Sequence, residues 1–436
     1  MKRREFLGAV FGGVIAYGGV IHGSGPGRPP VRVDGARLGR RLAELSVFGR
    51  NADGGIDRVG YSDADVAARR WTMERMREAG LVVRIDTAGN IRGRREGRDA
   101  SFAPIMTGSH IDSVPGGGNY DGQVGSMAAI EVAQSLADQR ITTRHPIEVI
   151  IFENEENGKA GSKAIRGDDG TAWLDLRTNS GKTMREGIRF IGGDPDRLSE
   201  SRIEKGGIAA FLELHIEQGA VLEQRGIDIG IVEGIVGIRR WSVTVDGFAN
   251  HAGTTPMDQR QDALLAAARF IDAAHRITRS SPGRQVTTVG AITVEPGAAN
   301  VIAGRAKLTL EMRDLDLSIV DRIFETIRGA AADIGRDTGT MFAFESIYRS
   351  LPAITDEGMR AAIETSVREL ELSSLAMPSG AGHDAQEMAQ IAPTGMIFVP
   401  SAGGISHSPR ELTDAADITN GANVLLNTLL RIDAAL

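Results

Sequence analysis

Of the eight histidines in this 436-residue chain, five sit among glycines and turn formers: His110, His215, His251, His383 and His407. His110 stands in Gly-Ser-His-Ile-Asp-Ser-Val-Pro just past a strand-like run. Asp121 follows the three glycines Gly116 to Gly118 in Asn-Tyr-Asp-Gly. Open α/β sheets place their ligands beyond the carboxyl ends of strands, which is where these residues fall. Glu155 and Glu156, with Glu153 nearby, follow the apolar run that ends at Phe152. A run of acids is ordinarily a solvated turn, but here it caps a buried strand next to histidines, where a divalent cation would offset the repulsion between carboxylates. The chain has no cysteine, which excludes disulfides, thiol nucleophiles and sulfur-ligated zinc or iron together. Imidazole and carboxylate ligands suit zinc, manganese, cobalt or nickel, and geometry decides among them.

Elements must hold these groups in place. Ser62, with Asp65 three residues on, reads as the start of a helix that Gly80 is well placed to stop. Extended runs at 81–85 and 104–107, a helix over 122–136 and a strand over 147–152 alternate, the pattern of a largely parallel α/β sheet. From 234 to 346 the pattern changes. Trp241, Val243 and Val245 alternate, 262–277 is helical, 286–294 is extended, Ala306, Leu308, Leu310 and Met312 alternate, 319–334 is helical, and a last strand falls near 341–344. That order, β-α-β-β-α-β, predicts a ferredoxin-like insert. A helix over 359–370, a strand over 396–399 and a closing helix over 422–430 then resume the first pattern. The expected organisation is a catalytic domain in two segments, 31–233 and 349–436, interrupted by a smaller lid and dimerisation domain at 234–348.

Charge and the N-terminus bound the setting. Fifty Lys and Arg against 57 Asp and Glu leave a net charge of −7, with no basic surplus to neutralise phosphates, so no nucleic-acid partner is expected. Lys2, Arg3 and Arg4 precede a glycine-interrupted apolar stretch from Leu7 to Ile21, a signal-peptide layout too short for a membrane span. The paired arginines followed by Phe6 and Leu7 resemble a twin-arginine export signal. Residues 1–30 are therefore expected to be signal and linker, read by an export translocase, and the protein to be periplasmic or secreted.

Five ordered motifs carry a wider resemblance: Gly-Ser-His-Ile-Asp-Ser-Val-Pro from Gly108, Glu-Leu-His-Ile-Glu-Gln-Gly from Glu213, His-Ala-Gly-Thr-Thr-Pro-Met from His251, Ser-Gly-Ala-Gly-His-Asp-Ala from Ser379, and Ser-His-Ser-Pro-Arg-Glu from Ser406. From about Ala36 to its C-terminus the chain resembles the hydantoinase/carbamoylase branch of the dinuclear metal amidases. That family includes N-carbamoyl-L-amino-acid hydrolase, β-ureidopropionase and allantoate amidohydrolase, and is related to aminoacylase and the carboxypeptidase G type peptidases. The resemblance implies two divalent metal ions. Asp121 would bridge them, His110 and His215 would complete one site, and Glu156 and His407 the other. Glu155 is implied as the general base that takes a proton from the water between the metals, and Asp112 as the residue that orients His110. In the smaller domain His251 would reach the developing oxyanion, and Asn300 and Arg313 would grip a substrate carboxylate. By spacing alone, Arg313 shares a polar strand face with Lys307, Thr309 and Glu311 and reads first as a solvent-facing arginine. Gln218 and His383 resemble substrate-contacting positions. Lid residues in this family often come from a partner subunit, which implies a homodimer.

The implied reaction is hydrolysis of the carbamoyl C–N bond of an N-carbamoyl amino acid or related ureido acid, such as β-ureidopropionate or allantoate. An aminoacylase or dipeptidase would use the same centre. A metal-dependent binding protein for ureido or amino acids would keep the ligands without turnover, but it would not need Glu155. One departure bears on the substrate: the family's Glu-Glu-Gly-Ser-Arg-Phe is here Glu155-Glu156-Asn157-Gly158-Lys159, without the Arg-Phe pair. Other signals fall away. Ser180 to Thr183 ends like a phosphate-binding loop, but Leu176 stands where its first glycine belongs. Ser379 lacks the glycine two residues earlier that a nucleophile elbow requires, Met377 standing there.

Overall fold

The computed structural model describes residues 29–436; the export signal expected at the N-terminus falls outside them. Four strands, Ile105–His110, Ile147–Phe152, Ala210–Ile216 and Thr394–Val399, are buried at every position, as the strands of a parallel sheet covered on both faces must be. They pair in parallel in the order Ile147–Phe152, Ile105–His110, Ala210–Ile216, Thr394–Val399. The expected parallel sheet is thus found at the centre. Its margins are mostly antiparallel, with Ile91–Arg95 and Val82–Ile85 on one side and Ile229–Ile235 and Ala353–Ile354 on the other. Val82–Ile85 and Ile91–Arg95 are joined by a short turn, and so tight a connection can only join antiparallel neighbours.

Helices follow their local signals. Ser62 Oγ accepts from Asp65 N at 3.1 Å and opens the helix Asp63–Glu78. The helix Gln123–Asp138 is buried on almost every face and shares the main core with the closing helix. That closing helix runs Ala415–Ala435, starting earlier than its apolar period indicated. Its first turns carry Asp417 and Thr419, polar residues that hide the period until Ala422. The helix Gly35–Leu45, not read from the sequence, is fastened to the core by Arg37 and Arg41, which both donate to the buried Glu131 carboxylate.

The strands Gly237–Asp246, Val286–Glu295, Arg305–Asp314 and Met341–Arg349 form a separate antiparallel sheet in the spatial order fourth, first, third, second. Helices Ala263–Ser280 and Leu317–Thr338 supply the remaining elements of the ferredoxin-like order. Ala306, Leu308, Leu310 and Met312 are all buried in a core of their own, where Trp241 stacks on Phe324 at 3.9 Å. The four central strands of the main sheet all end on one side, and their carboxyl ends lead directly into His110, Glu155, Gln218 and the loop that carries His407.

Candidate metal centre

Two trios of ligand-type side chains converge beyond those strand ends. His110, Asp121 and His215 offer atoms within 4.8 Å of one another, and so do Asp121, Glu156 and His407. Asp121 belongs to both. Its Oδ1 lies 3.2 Å from His215 Nε2 and 3.9 Å from His110 Nε2. Its Oδ2 lies 3.2 Å from His407 Nε2, which is 3.6 Å from Glu156 Oε1. One carboxylate therefore turns a different oxygen to each trio. The His215 Nε2 is buried yet has no aligned hydrogen-bond partner, an orphaned donor atom of the kind a metal ion satisfies. Its other nitrogen is tied to the Ile216 carbonyl at 2.9 Å, which fixes the ring for ligation through Nε2. Imidazoles and carboxylates at these spacings fit a divalent transition metal. A third trio, Glu213, His215 and His383, is already committed. Glu213 accepts from Ser109 Oγ at 2.7 Å and Ala385 N at 3.0 Å, and His383 Nε2 is joined to Ser379 Oγ at 2.8 Å.

The backbone at the centre is shaped to bring these groups together. Gly122 follows Asp121 at φ +80°, and a Cβ there would stand 2.3 Å from the His110 ring, so only glycine lets the two approach. Asn154, Lys159, Gln218 and His407 all take the left-handed conformation, a cluster of local strain of the kind functional sites hold. Asp112 does more than face His110, whose Nδ1 lies 3.1 Å from its carbonyl and 3.5 Å from its Oδ1. Its two carboxylate oxygens accept the Glu155 and Glu156 backbone N–H groups, each at 3.2 Å, so one side chain registers both acids against the histidine.

Electrostatics follow from burial and crowding. Burial, then the charges of Asp121 and Glu155, push Glu156 up to about 9. Burial pushes Glu155 up to about 7 against the pull of His110 and Lys159. The Asp121 carboxylate raises His407 to about 9. Burial alone would raise Asp121, but the His215 and His407 imidazoles hold it well below the usual carboxylate range. Glu155 belongs to neither trio; its Oε2 stands 4.0 Å from His110 Nε2, leaving it free to handle protons beside the centre. Burial drives Glu153, the third acid of the run, well above the ordinary range.

The remaining expected residues divide. Gln218 donates through Nε2 to Asp121 Oδ2 at 2.6 Å. His383 is buried and meets the His215 ring edge-on at 4.5 Å between centroids. Arg313 is not a purely solvent-facing arginine: Nη1 donates to the Gly380 carbonyl at 2.7 Å and Nε to Glu311 Oε1 at 2.7 Å, joining the four-stranded sheet to the main domain. His251 and Asn300 are exposed and lie together at a short β-bridge, Asn250–His251 with Val301–Ile302. Among the described residues no hydrogen bond links either to the metal-ligand groups. Lys159, in the segment without the Arg-Phe pair, donates to Gln386 Oε1 at 2.6 Å and pairs with Glu387 at 3.2 Å.

Glu411 and Ser406 have roles that the sequence alone does not show. Glu411 Oε1 accepts from Tyr120 N at 2.8 Å and Asp121 N at 3.0 Å, and Oε2 accepts from Ser406 Oγ at 2.9 Å. Ser406 Oγ in turn reaches Asp121 Oδ2 at 2.7 Å. Gly118 leaves the room, since a Cβ there would lie 2.3 Å from Glu411 Oε1. Glu411 thus locks the Asp121 loop to the His407 loop across most of the chain. The only signal was its place at the end of the fifth motif. Glu411→Gln is expected to weaken divalent-metal affinity by roughly 10- to 100-fold, as loss of an outer partner does, measured by competition with a chelator. Affinity equal to the parent's would remove Glu411 from the support of the centre.

Comparison with known proteins places this arrangement. The model for peptidase family M20/M25/M40 matches residues 106–431. The N-carbamoyl-L-amino acid amidohydrolase of Geobacillus stearothermophilus is 38% identical over 405 residues, covering 92% of this chain and 99% of the relative. The allantoate amidohydrolase of Bacillus subtilis is 35% identical over 396 residues, covering 89% of this chain and 95% of the relative. A solved amidase of the hydantoinase/carbamoylase family from Burkholderia multivorans superposes with a TM-score of 0.84 at 37% identity, covering 92% of this chain and 98% of that one.

Proposed function

The chain belongs to peptidase family M20/M25/M40, and from that premise we propose that it hydrolyses the carbamoyl C–N bond of an N-carbamoyl-L-amino acid or a close ureido acid. The products are ammonia, carbon dioxide and the free amine. The observation that carries this reading is the Asp121 carboxylate, which faces His110 and His215 with one oxygen and His407, beside Glu156, with the other. His110, Asp121 and His215 would hold one divalent ion, and Asp121, Glu156 and His407 a second, with zinc, manganese, cobalt and nickel all suited to the donors. Bound there, the ions would polarise the carbamoyl oxygen and make the attacking water more acidic.

The chain's own residues do the rest. Glu155 accepts the water's proton and delivers it to the departing nitrogen, the two halves of general acid–base catalysis. Asp112 keeps Glu155 in register through the backbone. Arg313, already facing an oxygen at Gly380, takes the substrate carboxylate. Gln218 and His383 border the reacting group. The exposure of His251 and Asn300 supports a homodimer in which each chain lends this pair to its neighbour's site, His251 at the oxyanion and Asn300 at the carboxylate. The twin arginines at Arg3 and Arg4 support export of the folded chain to the periplasm or beyond, which cell fractionation tests.

Hydrolysis of an N-acyl amino acid or a dipeptide is the second reading, kept by the altered segment Asn157 to Lys159. The metal-supplied protein should be offered matched N-carbamoyl and N-acetyl derivatives of the same L-amino acids. The proposal expects turnover of the carbamoyl member of each pair to exceed that of its acetyl partner; the reverse order makes the protein an aminoacylase.

A further inference from the structure

A cavity of about 650 Å3 has Gln218 and Gly380 among its lining residues. Both touch residues expected to take part in the reaction. Gln218 is hydrogen-bonded to Asp121, and Gly380 receives Arg313. A substrate with its carbamoyl group at Asp121 and its carboxylate at Arg313 would have its side chain within reach of the wall that Gln218 and Gly380 share with this cavity.

The walls are apolar. Val221, Leu375, Ala376, Met377 and Pro378 face it. Glu217, the acid among its lining residues, has both oxygens occupied by the Val221 and Leu222 backbone N–H groups at 2.8 Å. Two arginines border the cavity, Arg225 and Arg284. Both are exposed, so water screens them, and Arg284 is paired with Glu233 at 2.6 Å. A hydrogen, a hydroxyl or a second ureido group in place of a side chain would leave these walls wet. A large apolar side chain would displace that water, and apolar burial is the main source of such a preference.

Resting on the proposed reaction, we infer that this cavity is the side-chain subsite, and that the chain selects N-carbamoyl amino acids with bulky apolar side chains over small or acidic ones. The test is kcat/KM of the full-length, metal-loaded protein for the N-carbamoyl derivatives of L-phenylalanine, L-leucine, L-aspartate and glycine. The same series is measured on Val221→Trp and Ala376→Trp, both exposed positions where added bulk fills the cavity without entering the core. The expected result is a preference of about tenfold or more for phenylalanine and leucine over glycine, since a single methylene in an apolar pocket is worth roughly 10- to 200-fold. In both variants that ratio should collapse towards unity. Because the readout is a ratio within each variant, a general loss of active protein does not mimic it. Equal or better turnover of the glycine or aspartate derivative overturns the subsite alone, as does a ratio unchanged in both variants. Ammonia from none of the four overturns the reaction itself along with the subsite.

Discussion

Glu155→Gln is expected to lower kcat for ammonia release by roughly 10²- to 10⁴-fold, the range a positioned general base contributes, while bound metal stays at the parent level. The substitution preserves size and hydrogen-bonding reach and removes only basicity. Glu155 belongs to neither ligand trio, and its backbone N–H, not its carboxylate, is what Asp112 holds, so the centre should assemble unchanged. Metal analysis and steady-state kinetics on the same preparation separate the two effects. Turnover within tenfold of the parent would mean that the proton is carried elsewhere, and loss of metal would mean that Glu155 is a ligand.

Asp121→Asn should have the opposite signature, with metal and activity lost together. The carboxylate is shared by both trios and surrounded by three imidazoles. An amide offers one neutral oxygen where two charged ones faced the two sites. The loss of affinity should exceed the roughly 10- to 100-fold of an outer partner such as Glu411, leaving ammonia release undetectable at metal concentrations that saturate the parent. Metal content of the dialysed variant, read by elemental analysis, checks this. A parent-like metal content would show that Asp121 does not hold the metal.

The fold was readable where burial leaves a plain pattern. The run 147–152 is apolar apart from Glu148 because neighbouring strands and helices enclose it, and it is a strand over those same residues. The alternation from Ala306 to Met312 was legible because helices cover one face of that sheet and leave the other open. Ala210–Ile216, the strand that delivers His215, does not read as a strand from its sequence. It is wholly buried, yet contains Glu213 and His215, and those polar residues break the apolar run that would announce it. Glu213 is tolerated there because Ser109 and the Ala385 N–H satisfy its oxygens, partners far away in sequence. The helix Gly35–Leu45 was hidden by its arginines, whose charges meet Glu131 only in three dimensions.

At the site the residue types and their motifs were legible, and the division of labour was not. Asp112 was expected to orient His110. Its hold on the Glu155 and Glu156 backbones depends on two strand ends lying side by side, which spacing along the chain does not encode. Glu411 is the clearest case, since a carboxylate that locks Asp121 to Ser406 can be recognised only when both loops are seen together. Arg313 looked like a solvent-facing strand residue because its partner, the Gly380 carbonyl, belongs to the other sheet's loops.

Metal-dependent hydrolysis is tested by titrating metal-stripped protein with manganese or zinc while following ammonia release from an N-carbamoyl-L-amino acid. The stripped protein should release no ammonia, and activity should rise with added metal to a plateau at two ions per chain. Ammonia release that ignores metal, or a fully loaded protein that releases none while hydrolysing the N-acetyl analogue, would contradict metal-dependent carbamoyl hydrolysis.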